Sequence, residues 1–495
     1  MQEERSPTVS DELSTKGAIR IGKRAFLFAA VIILLLMVVS GILTRAVPPG
    51  SYDRVIEDGR EKVVPGSFTY DAPVEYPIWR WFTAPVEVLF SEDNLTLITI
   101  ILFLIFVGGA FTILERANVL SAFLARVVHR FRDRKYLLMA LIQFFFMFTA
   151  AVLGIYESMV PLVVFIVPLA HMLRWDSMTG LGMSLLPLAF GFAAAVTNPF
   201  TIGVAQTIAE LPLFSGAWLR IIFFLLVFTS VHLYVRHYAR RIETEPKRSL
   251  VYAEDANLRE LHREAPAEAR EALPWELKRA LRFFATTMGA AVLFIIVASQ
   301  ISAISFLAFP VMALLFLLGG LGSGRLAGHP WKSVFGTFLR GAANMLPGVI
   351  LVMMAMSVKQ IVDSGGITDT LLFRASQRIA ERGTLGAAFL MYALTLGMNF
   401  FIGSASAKAF LMMPILTPLA DLVGVSRQTA VLAFGFGDGF SNMVYPSNAL
   451  LLIALSLTVV SYPRWIRWTI PLQLLMLGLT AIFLTVAVLV GYGPY

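Results

Sequence analysis

Leu188-Ala189-Phe190-Gly191-Phe192 recurs letter for letter as Leu432-Ala433-Phe434-Gly435-Phe436, and six residues beyond each copy stands an asparagine, Asn198 and Asn442. Upstream, Pro168-Leu169-Ala170 returns as Pro418-Leu419-Ala420, 20 residues before the first pentapeptide and 14 before the second. The chain reads as a duplication with an insertion between its matching motifs. In a strongly apolar chain, segments interrupted by Gly and Pro at corresponding places in two halves point to the substrate site of a secondary transporter. The two asparagines mark that place.

The membrane reading rests on 57% hydrophobic residues, 15% charged residues and a mean hydropathy of +0.75, with apolar runs near the ~20 residues that a spanning helix requires. Cysteine is absent. That excludes structural disulfides, thiolate metal sites and cysteine nucleophiles, and leaves the redox compartment open. The six histidines lack metal spacing. The net charge of +8 comes from basic residues next to apolar runs, the positive-inside bias of an inner-membrane protein rather than the footprint of a nucleic-acid binder.

Residues 1–24 read as a cytoplasmic tail ending in Arg20, Lys23 and Arg24, and the apolar run from Ala25 to Leu43 as a retained first helix. Val47 to Asp93 holds nine acidic residues against four basic ones, which places that loop outside; Asp58-Gly59 within it reads as a β-hairpin turn. Repeat 1 spans 25–236, with a hairpin over about 136–173 and a broken helix over about 177–211. The hairpin is read from two half-length apolar stretches around Gly154-Ile155-Tyr156-Glu157-Ser158; a plain helix and loop is the alternative. Ser121 to Lys135 is an interfacial amphipathic piece. A cytoplasmic linker, 237–282, with no identifiable chemistry, precedes an extra span and repeat 2 over 283–495, with a second hairpin over about 385–423 and a second broken helix over about 428–460. The extra span inverts the second half. The expectation is an all-α polytopic membrane protein with nine crossings, two re-entrant hairpins and two inverted repeats, its amino terminus cytoplasmic and its carboxyl terminus outside.

Unwound backbone in a membrane is costly unless its amides and carbonyls find partners. Half-helix amino termini suit a carboxylate, and half-helix carboxyl ends suit a cation. Near the four interruptions, Ser158, Thr197, Thr201, Ser404, Ser406, Ser441 and Ser447 offer hydroxyls, Asn198 and Asn442 offer amides, as does Asn448, and Pro199 forces the first break. The coupling ion is left open, with the neighbourhood of Asn198 or Asn442 a candidate place for Na+. Glu157 and Lys408 lie at the hairpin tips, where ionisable residues are functional candidates; both together would match an amino acid, and the alternative is that they pair with each other. Asp438 is a third candidate, and Lys408 is a candidate tethered cation in place of a coupling Na+ or H+. No organic cofactor is called for.

Val63-Val64-Pro65-Gly66-Ser67, Asn198-Pro199-Phe200-Thr201, Met413-Pro414 through Pro418-Leu419-Ala420-Asp421, and Ser426-Arg427-Gln428-Thr429 leading to Gly437-Asp438-Gly439-Phe440-Ser441-Asn442 resemble the YfcC-like family of bacterial membrane carriers. That family is related to anaerobic C4-dicarboxylate carriers within the ion transporter superfamily. The resemblance covers nearly the whole chain. It implies two inverted repeats around a shared mid-membrane site, a homodimer, an elevator motion, and substrates from C4-dicarboxylates to basic amino acids. Where relatives carry Ser-Gly-Ser-Gly-Gln at the second tip, this chain has Ser404-Ala405-Ser406-Ala407-Lys408, which sets sodium coupling in question.

The expected function is secondary active transport of a small carboxylate-bearing metabolite, amino acid or C4-dicarboxylate. A basic amino acid exchanger and an ion or anion channel on the same architecture are the alternatives. An intramembrane hydrolase is disfavoured, because no His-Glu-x-x-His, no paired intramembrane aspartates and no histidine near either tip occur.

Overall fold

The computed structural model describes residues 23–57, 60–91, 94–263, 273–299, 304 and 307–493. Most of the amino-terminal tail, the turn at Asp58-Gly59, part of the linker and the start of the crossing expected from Phe306 lie outside the described residues. Among those described, the chain is built of α-helices, with two short antiparallel strand pairs. β1 (Gly50–Ser51) pairs β4 (Thr69–Tyr70), and β2 (Arg54–Glu57) pairs β3 (Arg60–Val63) with Arg54 opposite Val63. The two strands of the expected hairpin are therefore present.

The first part of the chain comprises α1 (Lys23–Ala46), α2 (Trp79–Glu87), α3 (Asn94–Arg116), α4 (Val119–Arg130) and α5 (Lys135–Phe148). A π turn (Thr149–Leu153) and a 3-10 turn (Glu157–Leu162) separate α5 from α6 (Val163–Met172). Then come α7 (Ser177–Ala194), α8 (Val204–Ile208), α9 (Ala217–Thr244) and α10 (Ala256–Arg263). Beyond the linker lie α11 (Trp275–Ser299), α12 (Ala308–Leu326), α13 (Trp331–Asn344), α14 (Leu346–Ser364), α15 (Thr368–Ala380), α16 (Thr384–Asn399), α17 (Ala405–Val423), α18 (Arg427–Asp438), α19 (Ala449–Ser456) and α20 (Tyr462–Leu489).

Nine helical segments among the described residues are long and apolar enough to cross a membrane, so the chain is a multi-pass membrane protein. The nine are not the nine of the sequence reading. By length and composition α13 and α14 count as one span, α17 qualifies by itself, and α12, expected as a crossing, falls among the shorter apolar helices with α16 and Glu157–Met172. The helices α2 and α13 replace what reads as loop, because each is short and buries only one face, with Phe82 and Val86 of α2 and Phe335 and Leu339 of α13 left exposed. α2 buries Trp81 and Ala84, and α13 buries Val334, Thr337 and Gly341.

Small residues let the backbones approach, the usual device where lipid removes a hydrophobic driving force between helices. A Cβ on Gly320 would lie 2.5 Å from Ala110 Cβ, and one on Gly341 2.4 Å from the Gly108 carbonyl, so α3 meets α12 and α13 at backbone distance. The amphipathic α4 packs on α6 and α11, and α15 packs on α16 and α17. Arg54 of the first loop donates to Asp369 of α15 at 2.8 Å, and Phe68 stacks on Phe373 with centroids 4.1 Å apart. The linker does have a structural task. Asp255 accepts from Ser177 N at 2.8 Å and lies 3.4 Å from His171 Nε2, while Ser249 donates to Asp176, the residue whose carboxylate caps α7.

Candidate functional site

The helices α7 and α18 carry the two copies of the repeated pentapeptide and stop at equivalent residues, Ala194 and Asp438. Each starts on a side-chain cap: Asp176 accepts from Thr179 N, and Ser426 from Thr429 N. Beyond α7 the chain leaves helical geometry for Ala195 to Thr197, with Thr197 N and Oγ1 donating to the Ala151 and Val152 carbonyls at 3.1 Å. Asn198 restarts the helix: its Oδ1 accepts from Phe200 N at 2.9 Å and Thr201 N at 3.2 Å, and Pro199 occupies the first position, where no N–H is needed.

In the second half the same cap is made by Asn448. Its Oδ1 accepts from Leu450 N at 3.0 Å and Leu451 N at 3.2 Å. The sequence equivalence of Asn198 with Asn442 therefore does not carry over to the cap, because a 3-10 turn, Phe440–Met443, lengthens the second break by six residues. Asn442 instead accepts from Asn448 Nδ2 and Asn399 Nδ2 and donates to the Asp438 carbonyl. The second break touches the last turn of α7: a Cβ on Gly439 would lie 2.1 Å from Ala193 Cα, so only glycine allows this approach.

All four interrupted segments line one cavity of about 270 Å³. The first tip supplies Gly154, Ile155, Tyr156, Glu157 and Ser158; the second supplies Gly403, Ser404, Ala405 and Ser406. The breaks supply Phe200, Asn442, Asn448 and Leu450, with Phe192 and Ile295 completing the wall. Of these side chains Glu157 alone is charged, and it is exposed to the cavity although protein surrounds it. The N-terminal turn of α17 opens onto the same space, with Ser404 as its N-cap and Ser406 Oγ donating to the Phe200 carbonyl at 2.9 Å. A second cavity of about 810 Å³ lies against the same tip and shares Ser404 and Ser406 with the first.

The other expected residues stand behind this wall. Gly154, at φ +69°, packs so closely on Asn198 that a Cβ there would meet Oδ1 at 2.4 Å. Asn198, Thr201, Asp438 and Ser441 are buried, and Ser447 Oγ donates to the Phe400 carbonyl at 2.7 Å. Asn198 Nδ2, Thr201 Oγ1 and Asp438 Oδ2 have no hydrogen-bond partner among the described residues. Lys408 is fully buried, and its ammonium donates to Asn399 Oδ1 and Asp438 Oδ1. The alternative pairing of Lys408 with Glu157 is thus corrected: the lysine is turned to α16 and α18, away from the cavity.

Two residues escaped the sequence reading. Asn399 ties Lys408, Ser441, Asn442 and the Asp438 carbonyl together; its signal was an amide in an otherwise apolar arm. Arg220, 1% exposed, donates Nε to the Val196 carbonyl at 3.2 Å and lies 3.3 Å from Tyr492 Oη. Each broken helix therefore ends against a buried cation, Arg220 at α7 and Lys408 at α18, where a half-helix carboxyl end favours positive charge. Among the described residues there is no cluster of three or more His, Asp or Glu suited to a metal ion.

Comparison with known proteins points to membrane transport. YfcC of Escherichia coli K12, whose name proposes basic amino acid antiport, is 31% identical over 496 residues, covering 93% of this chain and 96% of its own. An uncharacterised Haemophilus influenzae Rd protein is 23% identical over 401 residues, covering 80% of this chain and 77% of its own. Among solved structures, the Alcanivorax borkumensis YdaH transporter has 19% identity and a TM-score of 0.40, covering 95% of this chain and 99% of its own. Neisseria gonorrhoeae MtrF, described among antimetabolite efflux pumps, has 14% identity and a TM-score of 0.39, covering 98% and 99%. The profile of the C4-dicarboxylate anaerobic carriers, DcuC, matches residues 27–489, and the chain belongs to that family of membrane transporters.

Proposed function

We propose that this chain is a secondary active carrier of an amino acid, working by elevator-type alternating access on two inverted repeats, each with a re-entrant hairpin, in a homodimer of a bacterial or archaeal inner membrane. The observation that carries the substrate reading is the charge of the cavity: Glu157 is its single charged side chain, and the N-terminus of α17 opens onto the same space. An α-carboxylate belongs at the N–H groups of α17 beside Ser404 and Ser406, and an ammonium at Glu157. A C4-dicarboxylate fits less well. Like charges 4 Å apart repel by about 4 kcal/mol at an effective dielectric of about 20, and no cationic side chain lines the cavity to offset this. The name of the E. coli relative favours a basic amino acid, taken up in exchange for another.

The second tip, between the two cavities, acts as the gate in this reading, and Asn198, Asn442 and Asn448 hold the breaks open to the substrate. Arg220 and Lys408 serve as tethered counter-charges at the half-helix ends, which makes transport independent of Na+. A protein in proteoliposomes, offered labelled arginine, lysine, neutral amino acids and C4-dicarboxylates with and without sodium, tests both parts. Saturable amino acid uptake with counterflow, lost in Glu157→Gln, is expected. Dicarboxylate uptake unaffected by Glu157→Gln overturns the substrate reading, strict sodium dependence overturns the tethered-cation reading, and unsaturable flux without counterflow identifies a channel instead.

A further inference from the structure

A groove of about 720 Å³ runs between α5 and α11; it shares no lining residue with the cavity at the tips, although Ile295 of that cavity and Ile296 of the groove are neighbours on α11. Phe123 of α4, Leu141, Phe145 and Phe146 of α5, Phe165 of α6 and Met288 of α11 wall it, and every other lining residue is likewise apolar or glycine. Both long helices lie within segments apolar enough to span a membrane. Leu141, Phe145 and Leu293 remain exposed, and a Cβ on Gly289 would meet nothing within 4 Å. Water does not fill an apolar trough of this size stably, since it needs polar partners there. Hydrocarbon does.

One end of the groove is cationic. Along α11 the lining stripe Ala285, Gly289 and Ile296, continued toward the amino terminus by one and two turns, reaches Arg282 and Lys278. Phe123 meets Phe284 edge to face with centroids 6.0 Å apart, and Arg126 follows Phe123 by one turn of α4. Arg126, Lys278 and Arg282 are exposed and have no carboxylate partner among the described residues. The Arg282 guanidinium lies over the ring of Trp275, the residue type that marks a membrane–water boundary.

We propose that this groove is a binding site for an anionic phospholipid, one acyl chain lying between α5 and α11 and the phosphate held by Arg126, Lys278 and Arg282. The site joins α11 to the arm that carries the first tip, so a bound lipid fills the seam between them.

Native mass spectrometry of the purified protein, titrated with phosphatidylglycerol or phosphatidylcholine, tests this. The unmodified protein is expected to retain phosphatidylglycerol roughly tenfold or more better than phosphatidylcholine, since each basic residue near a headgroup favours an anionic one. Gly289→Phe, which grows into open space, is expected to cut retention of both lipids about tenfold while thermal stability holds. Lys278→Gln with Arg282→Gln is expected to abolish the preference and leave chain binding. Equal retention by Gly289→Phe overturns the site, an unchanged preference in the double variant overturns the headgroup assignment, and a dimer that falls to monomer in Gly289→Phe shows that a second copy, not lipid, covers the groove.

Discussion

The buried pair of Lys408 and Asp438 permits a quantitative test. Both side chains are essentially without solvent contact, 0% and 1% exposed, and Asn399 Oδ1 is the ammonium's other acceptor. Replacing Lys408 with Met leaves the Asp438 carboxylate uncompensated in a low-dielectric site; replacing Asp438 with Asn strands the ammonium. Either loss costs about 3–5 kcal/mol, because what remains is a buried charge rather than merely a missing contact. At roughly 2.1 cal/mol/K per residue, unfolding of the 495 residues carries an entropy near 1 kcal/mol/K, so each single change should lower Tm by about 3–5 °C. Lys408→Met with Asp438→Asn removes both charges at similar volume and should recover most of that loss, to within about 1 kcal/mol.

Thermal unfolding in detergent reads the stability, and proteoliposome uptake reads the function. A double variant that regains stability but not transport assigns the pair to the transport cycle. One that regains both makes the pair structural. Single variants within a degree of the parent, or a double variant no better than the singles, would refute the buried-pair argument itself.

Gly154→Ala combines left-handed strain of about 1–2 kcal/mol with displacement of Asn198 Oδ1 from two N–H groups at about 0.5–1.5 kcal/mol each; it should lower Tm by about 2–5 °C, whereas Gly403→Ala, with nothing within 4 Å of its Cβ, should hold within a degree. Asn198→Ala and Asn448→Ala each remove a cap at a cost of about 0.5–2 kcal/mol, so amide exchange should rise at Phe200 and Thr201 in one and at Leu450 and Leu451 in the other, and unchanged exchange would remove the cap assignment. Since the chain has no cysteine, an impermeant thiol reagent on intact cells should label Gly383→Cys and leave Arg134→Cys untouched; the reverse pattern would invert the topology.

The polytopic helical fold was legible because it depends on apolar run length, which a linear reading measures well. What that reading lost were the helices with a single buried face. α13 carries Lys332 and Arg340 on its outer side and passes for a polar connection, yet its Gly341 meets the Gly108 carbonyl. The linker escaped for another reason. Its Asp255 is an ordinary carboxylate in a charged stretch until the fold brings it 78 residues back to Ser177, and nothing local in the sequence encodes that meeting.

The site was legible to the level of segments and blurred at the level of atoms. The four interruptions found from Gly, Pro and the duplicated pentapeptide do line one cavity, since a chain that cannot stay helical in lipid must bury the exposed backbone against itself. Letter-matching then chose Asn442 as the partner of Asn198. Counting from the pentapeptide carries the equivalence to the end of the helix, at Ala194 and Asp438, and no further, because the 3-10 turn of the second half displaces everything beyond it. The cap is the better guide: an asparagine two and three residues before free N–H groups makes the same bonds wherever the helix resumes, and that criterion selects Asn448. Lys408 fails to reach the cavity on similar grounds. A side chain in the first turn of α17 points along the helix toward its neighbours, and Asp438 and Asn399 lie within its reach while Glu157 is left to face the cavity alone. The tip lysine thereby pairs with a carboxylate behind the wall, and Glu157 remains the one charged side chain that lines the cavity.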